Sequence, residues 1–528
     1  MSLPQAAKIS EPITPREIRT VFAGLMLALA LAALDQNIVG TALPRIVSDL
    51  GGLSHLSWVV TSFLLTSTIT TPLYGKLSDM YGRKPLFVVS ILVFLVGSSL
   101  CGLSRSMIQL VLFRGVQGLG AGGLMVLSQT TIADLVAPRE RGRYQGIFGA
   151  VFAFSSIAGP LLGGFITDAL SWRWIFYINL PVGVVALALI VFGFQRPQRI
   201  VAHRIDYAGV MLLSAGTTSL LLVLTWGGVA YPWSSPLIIG LASAFALLFF
   251  FLVHQEHRAA EPVFSPHIFR NKVFVIASCV IGLTFMALMG MAVFMPLFFQ
   301  LVLGFTPSRA GLMMAPIPVG VIGSSILGGR LVSKTGRYKI FPIIGLACAI
   351  SAMLCVTWAS AVGSGLLVIE IALSLVGVGF GFVMPNLTIA IQNAVNPREL
   401  GMATATAGFF RSLGGAFGVA LSGAIVTTQL HHIHLGSGSG AGTRSLIEQG
   451  IQQIAQLPIM QRDIVLAAYR SAISSTFMAG AAVSVVAFAI TIFLPEKPLK
   501  STLPTGAGDS ESLKAPEMLS ASVMENAG

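Results

Sequence analysis

Long apolar blocks separated by short polar breaks make up most of this chain. Each block approaches the roughly 20 apolar residues that a helix needs to cross a bilayer. In lipid such a segment must be helical, because only a helix satisfies its own backbone hydrogen bonds. We therefore predict an all-α polytopic membrane protein with fourteen transmembrane helices. The predicted spans are 20–43, 56–75, 85–104, 107–133, 144–167, 173–194, 207–226, 236–254, 273–300, 309–329, 339–358, 365–391, 402–427 and 471–494.

The basic residues in the polar breaks predict the orientation. With the N-terminus inside and the helices alternating, 23 of the 32 Lys and Arg residues fall on the inner side. Seven fall on the outer side, and Arg114 and Arg411 lie within spans. Cytoplasmic loops collect basic residues, so we expect a multi-pass protein of the cell membrane, of the inner-membrane type, with both termini cytoplasmic.

Composition agrees with a lipid environment. Hydrophobic residues make up 55% of the chain and charged residues 10%, against about 25% charged in ordinary soluble domains. The net charge of +12 comes from clusters between the apolar blocks, without the basic, aromatic-interleaved face of a nucleic-acid-binding protein. The sequence shows no Ser/His/Asp set, no His or Cys cluster and no phosphate-binding loop. We therefore expect neither an enzyme nor a cofactor, and no use of ATP.

An internal repeat divides the chain. Ten residues of the first half recur identically 259 positions later, including a Pro-Arg-Glu triplet. Two parallel six-helix units are the architecture of a rocking-bundle transporter with a site between the halves. The first copies are Gly118, Gly120, Gly122, Pro138, Arg139, Glu140, Gly142, Gly149, Gly159 and Gly164.

The repeat predicts two six-helix bundles related by a pseudo-two-fold axis, with two inserted helices between them. The predicted parts are a cytoplasmic N-terminal segment at 1–19, a first bundle at 20–200, inserted helices at 201–258, a second bundle at 259–499 and a disordered tail at 500–528. A long outer loop is predicted at 428–470, with a short amphipathic helix at 443–455.

The loop after the second span carries a recognisable motif. It reads Gly75-x-x-x-Asp79-x-x-Gly82-Arg83-Lys84 and resembles the signature loop of the major facilitator superfamily. Two glycines allow a tight turn, and Asp79 can face a helix N-terminus or a nearby arginine. We expect a gating latch that closes the cytoplasmic side, whereas Ser333 replaces the aspartate in the second half. The predicted latch residues are Gly75, Asp79, Gly82, Arg83, Lys84 and Arg143.

Further motifs narrow the resemblance, which covers essentially the whole chain from Arg19 to Lys500. They are similar to the fourteen-helix drug:proton antiporters of that superfamily, and they imply a multidrug exporter. The motifs are Leu34-Asp35 to Ile46, Arg114 to Gly123, Trp172 to Pro181, and the antiporter motif of Gly159, Pro160, Gly163 and Gly164.

Few ionisable groups lie within the spans, and such groups are functional candidates because they are expensive in lipid. Asp35 and Arg114 have similar predicted depth and can pair. An arginine favours the charged carboxylate and burial favours the neutral one, so changing water access can bind or release a proton. We predict a proton-coupling or substrate role for Asp35, Arg114 and Glu370, with a fixed structural pair as the alternative. Arg411 is either a tie between the halves or a substrate contact.

Thioether, aromatic and amide side chains are the candidates for a cavity that accepts apolar compounds. Many Met and Phe residues face lipid instead, and that alternative stays open. The predicted cavity residues are Asn37, Gln117, Met286, Met289, Phe294, Gln300 and Asn386.

These features together predict a secondary active transporter. It exports amphipathic or cationic small molecules, such as drugs, dyes or biocides, in exchange for protons. Its partners are the substrate, protons and the lipid bilayer. We expect a monomer without nucleic acid, and leave a periplasmic adaptor open. Two alternatives remain, namely a dedicated exporter of one metabolite (a siderophore, antibiotic or lipid precursor) and a non-transporting receptor of the same fold.

Overall fold

The computed structural model of the protein describes residues 15–50, 56–193, 206–228, 231–259, 262–363, 365–431 and 459–499. Over these residues the chain is α-helical, with two short 3-10 helices and a single isolated β-bridge between Gly227 and Tyr231. The predicted all-α fold class is confirmed.

Sixteen α-helices follow one another within the described residues, and we number them in chain order. They are α1 (Pro15–Leu50), α2 (Leu56–Tyr81), α3 (Arg83–Leu103), α4 (Met107–Leu135), α5 (Arg141–Ala169), α6 (Trp174–Tyr177), α7 (Asn179–Gly193), α8 (Tyr207–Trp226), α9 (Pro236–Arg258), α10 (Lys272–Leu301), α11 (Pro307–Leu312), α12 (Pro316–Thr335), α13 (Ile340–Val362), α14 (Leu366–Ala394), α15 (Leu400–His431) and α16 (Ile459–Ile492).

Thirteen segments of the described chain are long and apolar enough to cross a membrane. Helix α2, with 26 residues, is the fourteenth long helix, and its many Ser and Thr residues lower its hydropathy. Their hydroxyls bond to backbone carbonyls, as Thr66 does to Ser62 at 2.9 Å and Thr70 to Thr66 at 2.9 Å, so they suit a membrane helix. The helix order is consistent with the predicted fourteen spans.

Both ends of the outer loop predicted at 428–470 are helical. Helix α15 continues to His431 and α16 begins at Ile459, because polar helix ends extend beyond the apolar blocks from which the spans were read. What remains, 432–458, lies outside the described residues, as do the amphipathic helix predicted at 443–455 and the tail at 500–528. At the N-terminus, α1 begins at Pro15, so the helix takes up the end of the predicted segment 1–19.

Helix bounds repeat between the halves. Adding 259 to the bounds of α4 gives those of α14, and adding it to Arg141, where α5 begins, gives Leu400, where α15 begins. The packing repeats as well. Helix α4 packs against α2 and α3 as α14 packs against α12 and α13, and α1 packs against α5 and α7 as α10 packs against α15 and α16.

Close contacts between the halves lie at one end of the bundle, which we call the basic end because it carries Arg83, Arg139 and Arg141. Helices α5 and α12 touch backbone to backbone at Gly142 and Gly329. A Cβ on Gly75 of α2 would lie 2.7 Å from the carbonyl oxygen of Gly401 in α15. The halves are therefore closed against each other at the basic end.

Further from the basic end the same helices leave more room. A Cβ added to Gly164 of α5 or to Gly323 of α12 would have no neighbouring atom within 4 Å. Small residues permit close helix approach where neighbours are present, so the glycines at the basic end are contact points. Gly164 and Gly323 are not.

The inserted helices α8 and α9 pack against each other, and α8 also touches α2 and α15. In the segment that follows α9, the backbone N–H of Phe264 donates to Glu256 at 3.0 Å. The Phe264 ring lies 5.7 Å from that of Phe409 in α15. Ser265 N contacts the Met402 sulfur at 3.3 Å. The insertion is thus attached to the start of α15, where the halves meet.

The Gly142–Gly329 contact predicts a conformational effect of Gly329→Ala. The new methyl group meets a backbone carbonyl that cannot yield, and such overpacking costs about 1–3 kcal/mol. That cost shifts the ratio of closed to open basic ends about tenfold toward open. Spin labels on cysteines introduced at the exposed positions Arg143 and Lys334, in a background without the four native cysteines, report the change as longer interlabel distances.

Gly323→Ala is the matched control, since it adds the same methyl group to the same helix where nothing lies within 4 Å. We expect it to leave the distance distribution unchanged. Equal distributions for Gly329→Ala and the wild type would show that this contact does not hold the basic end closed.

Candidate functional site

An ion pair lies buried inside the first half. Arg114 of α4 donates through Nη1 to Oδ2 of Asp35 in α1 at 2.5 Å. The side chain of Asp35 is 0% exposed and that of Arg114 is 1% exposed. The structure thus places Arg114 beside Asp35, as their similar predicted depth along the two helices indicated.

Neutral polar side chains complete the shell around the carboxylate. Oδ1 of Asp35 accepts from Gln117 Nε2 at 2.8 Å and from Asn179 Nδ2 at 2.9 Å. Asn179 also donates to Ser98 Oγ at 2.9 Å, and Ser98 donates to the Phe176 carbonyl at 2.8 Å. Both carboxylate oxygens therefore have hydrogen-bond donors.

Arg114 is held independently of the carboxylate. Its Nε donates to the Val59 carbonyl at 3.3 Å and its Nη1 to Gln117 Oε1 at 2.8 Å. The guanidinium also lies 4.1 Å from the centroid of the Phe63 ring, a cation–π distance. Arg114 therefore has three partners besides the carboxylate of Asp35.

Sequence reasoning missed Asn179 and Ser98 as members of this site. Asn179 belongs to the run from Trp172 to Pro181, which carried family resemblance but no assigned role. Gln117 was predicted to line the substrate cavity, and the structure instead buries it completely beside Asp35.

The predicted latch residues Asp79 and Arg83 lie at the basic end, where α2 and α3 meet α15. Asp79 accepts from the backbone N–H of Gly401 at 3.0 Å and of Met402 at 2.8 Å, which are at the N-terminus of α15. A carboxylate there is favoured by the helix dipole and by unpaired N–H groups. Arg83 pairs with Asp79 at 2.6 Å and with Asp134 at 2.7 Å. Asp79 therefore joins the two halves directly.

Of the remaining predicted latch residues, Gly82 and Lys84 lie at the turn into α3, and Arg143 lies in the first turn of α5. Gly82 has φ of 91°, a left-handed conformation that allows the tight turn into α3, and Lys84 is half-buried in the first turn of that helix. Arg143 is exposed. The buried arginine of that segment is Arg141, which donates to the Gln392 carbonyl in the second half at 3.3 Å.

The predicted antiporter motif lies where α5 crosses α1. A Cβ on Gly159 would be 2.7 Å from Cβ of Asn37, and one on Gly163 would be 2.6 Å from the Ile38 carbonyl oxygen. Pro160 lies between them within α5, and Gly164 has no close neighbour. The motif therefore brings α5 against the helix that carries Asp35.

The other predicted cavity residues do not converge on Asp35. Met286, Met289 and Phe294 are half-buried on α10, where Gly418, Gly415 and Gly423 of α15 lie opposite them. Gln300 and Glu370 are half-buried near the ends of their helices, and Asn37 donates to its own helix at Ala33. Asn386 is buried in the second half and donates to Phe382 at 2.6 Å.

Among the described residues no group of three or more His, Cys, Asp or Glu side chains is placed to hold a metal ion.

Sequence comparison relates this chain to known proteins. The sequence profile of the Major Facilitator Superfamily matches residues 25–419. Multidrug transporter protein MdtP of Bacillus subtilis (strain 168) is 38% identical over 406 residues, covering 77% of this chain and 75% of the relative. Multidrug resistance protein 3 of the same strain is 36% identical over 503 residues, covering 93% of this chain and 98% of the relative.

A solved structure shares the fold. The human organic anion transporter MFSD10 (TETRAN) is 16% identical, with a TM-score of 0.63 over 90% of this chain and 100% of that chain. At that identity the likeness shows the fold alone. Together with the profile match and the two bacterial relatives, it confirms the predicted resemblance, and the chain belongs to the Major Facilitator Superfamily.

Proposed function

We propose that this transporter exports amphipathic small molecules in exchange for protons, by alternating access. The observation that carries the proposal is the buried carboxylate of Asp35, an ionisable group placed inside a membrane half with an arginine as its partner. The names of the two Bacillus subtilis relatives favour several substrates over one dedicated metabolite.

The basic end faces the cytoplasm in this proposal. Its loops carry Arg83, Arg139 and Arg141, and both the second-span motif and the end of α16 lie there. Tyr338, between α12 and α13, bonds to Pro495 at 2.8 Å and to Lys497 at 2.8 Å, which places the segment after α16 at the same end. Positive charge marks the cytoplasmic side, so the structure described here is the state closed to the cytoplasm.

Asp35 is the proton carrier in this mechanism. A proton that reaches the carboxylate converts it to the neutral acid and removes the attraction to Arg114. Arg114 then keeps Val59, Gln117 and Phe63 as partners, while α1 is no longer held to α4 by charge. Loss of the proton to the cytoplasm restores the ion pair.

Helix α5 transmits this change to the gate. It contacts α1 at Gly159 and Gly163, and it contacts α12 of the other half at Gly142. A shift of α1 therefore moves the helix that closes the basic end. The Asp79 latch on α15 must release during the same step, because it also joins the halves there.

Asp35→Asn tests the proton carrier. The amide cannot exchange a proton at this site, so we expect export driven by a pH gradient in reconstituted vesicles to fall by at least about 100-fold. Substrate counterflow without a gradient should persist, because that exchange needs no net proton movement. Asp49→Asn is the control, since Asp49 is a partly exposed aspartate on the same helix.

Folding must be separated from coupling in this test. Asp35→Asn leaves the Arg114 charge unmatched in a buried site, which costs about 3–5 kcal/mol. The double variant Asp35→Asn/Arg114→Gln removes both charges and should recover much of the lost thermal stability, but not gradient-driven export. Gradient-driven export that survives in either folded variant would remove Asp35 from the coupling mechanism.

Asp79→Asn tests the latch. Removing the charge weakens the bond to the α15 N-terminus and the pair with Arg83, and a charge at a helix N-terminus contributes up to about 2 kcal/mol. We expect the basic end to open more often and the export rate to fall about five- to tenfold. The spin-label distance between positions 143 and 334 measures the opening of the basic end. Initial rates in inside-out vesicles measure export.

Glu140→Gln is the control for the latch, because Glu140 is an exposed carboxylate at the same end of the bundle. It should leave both the rate and the distance unchanged. A wild-type rate together with a wild-type distance for Asp79→Asn would exclude the latch role.

A further inference from the structure

Arg411 of α15 is a cation within a membrane span. Among the described residues no carboxylate forms an ion pair with it. Its contacts are the Met125 sulfur, 3.8 Å from Nη2, and the Phe285 ring, whose centroid lies 5.4 Å from the guanidinium carbon. Both neighbours are polarizable and neither carries a charge.

The position of Arg411 on α15 points it between the halves. One turn before it, Gly408 lies against Thr71 of α2, and one turn after it, Gly414 lies against Gly282 of α10. Met125 belongs to α4 of the first half and Phe285 to α10 of the second. The side chain therefore lies between the two bundles and not on the lipid face.

Arg411 is also at mid-depth. It follows Leu400, where α15 begins at the closed basic end, by eleven residues, or about 16 Å along the axis. The residue is half-buried, so part of it still reaches accessible space. Met286 and Met289, also half-buried, lie next on the facing side of α10.

No other charge offsets Arg411 at this depth in the described residues. Asp35 and Arg114 neutralise each other inside the first half, and Glu370 lies about one turn inside the opposite end of α14. A buried cation without a partner is costly, and an anion that binds beside it recovers that cost. An incoming cation, in contrast, would be repelled by Arg411.

We propose that Arg411 binds the anionic group of the exported compound, so that amphipathic organic anions are preferred over cations. A guanidinium offers a planar, bidentate donor set for a carboxylate, sulfonate or phosphate. Phe285, Met286 and Met289 supply apolar contact for the rest of the molecule. This proposal rests on the proposed export function and names its substrate class.

Binding to the purified full-length protein tests the charge preference without any gradient. The probes are naphthalene-2-sulfonate and (2-naphthyl)trimethylammonium, which share one ring system and differ in the sign of their charge. Isothermal titration should give tighter binding of the sulfonate to the wild-type protein. Arg411→Gln should weaken sulfonate binding by about tenfold or more, the usual effect of losing one charge-assisted hydrogen bond, and change ammonium binding by less than about twofold.

Two further variants separate an anion site from a structural tie. Arg411→Lys keeps the charge but loses the planar donor pair, so its sulfonate affinity should lie between those of the wild type and of Arg411→Gln, with ammonium binding unchanged. Arg309→Gln is the control. Arg309 also lies over a phenylalanine ring, 4.0 Å from the centroid of Phe305, but near the opposite end of the bundle. Its substitution should leave both affinities unchanged. Melting temperatures of all variants are measured alongside.

Tighter wild-type binding of the ammonium probe would overturn the proposal. So would an equal loss of both probes in Arg411→Gln with a lowered melting temperature, which is the result expected of a structural tie. Since these measurements use no proton gradient, their failure is distinct from a failure of proton coupling, which is measured with the Asp35 variants.

Discussion

Lipid provides no hydrogen-bond partner, and this constraint explains how the first half is built around one carboxylate. The side chains that bond to Asp35 come from other helices of the same half. Arg114 and Gln117 come from α4 and Asn179 from α7, while α2 supplies the Val59 carbonyl and the Phe63 ring. Four helices are thereby fixed relative to one charge. In the proposed mechanism, a change in the charge of Asp35 acts on all four of these helices.

The contacts between the halves are of a different kind. At Gly142 and Gly329 two backbones touch without side chains between them, and at Gly401 a backbone N–H meets the Asp79 carboxylate. Such contacts need close approach, and they are lost once the helices separate by a short distance. The interior of each half is packed with apolar side chains, and the first half also contains the Asp35 network. In the proposed mechanism these short-range contacts are the ones that must break for the basic end to open.

Much of this arrangement was readable from the sequence because lipid imposes it. Apolar length predicted the helices, the repeat predicted the pairing of α4 with α14, and depth along two helices predicted the Asp35–Arg114 pair. Ser98 and Asn179 were missed because a neutral polar side chain leaves no periodic or compositional signal of its partner. Arg143 was chosen over Arg141 because two arginines two residues apart on a helix face different directions, and only the packing decides which faces inward. The ends of the predicted 428–470 loop are helical because helix ends outside lipid are free to be polar.

The duplication separates residues that build the six-helix unit from residues that give each half its chemistry. Glycines at helix contacts recur, as Gly118 and Gly377 do, each against a neighbouring backbone in its own half. The charges within the spans do not recur. At the offset of 259, Arg114 corresponds to Leu373 and Gln117 to Val376, both fully buried in the apolar core of the second half. Arg411 in turn corresponds to Phe152. Since a leucine and a valine fill the positions of Arg114 and Gln117 in the same packing, the fold does not require those charges. Their restriction to one half each supports a division of labour, with a proton site in the first half and an anion site contributed by the second.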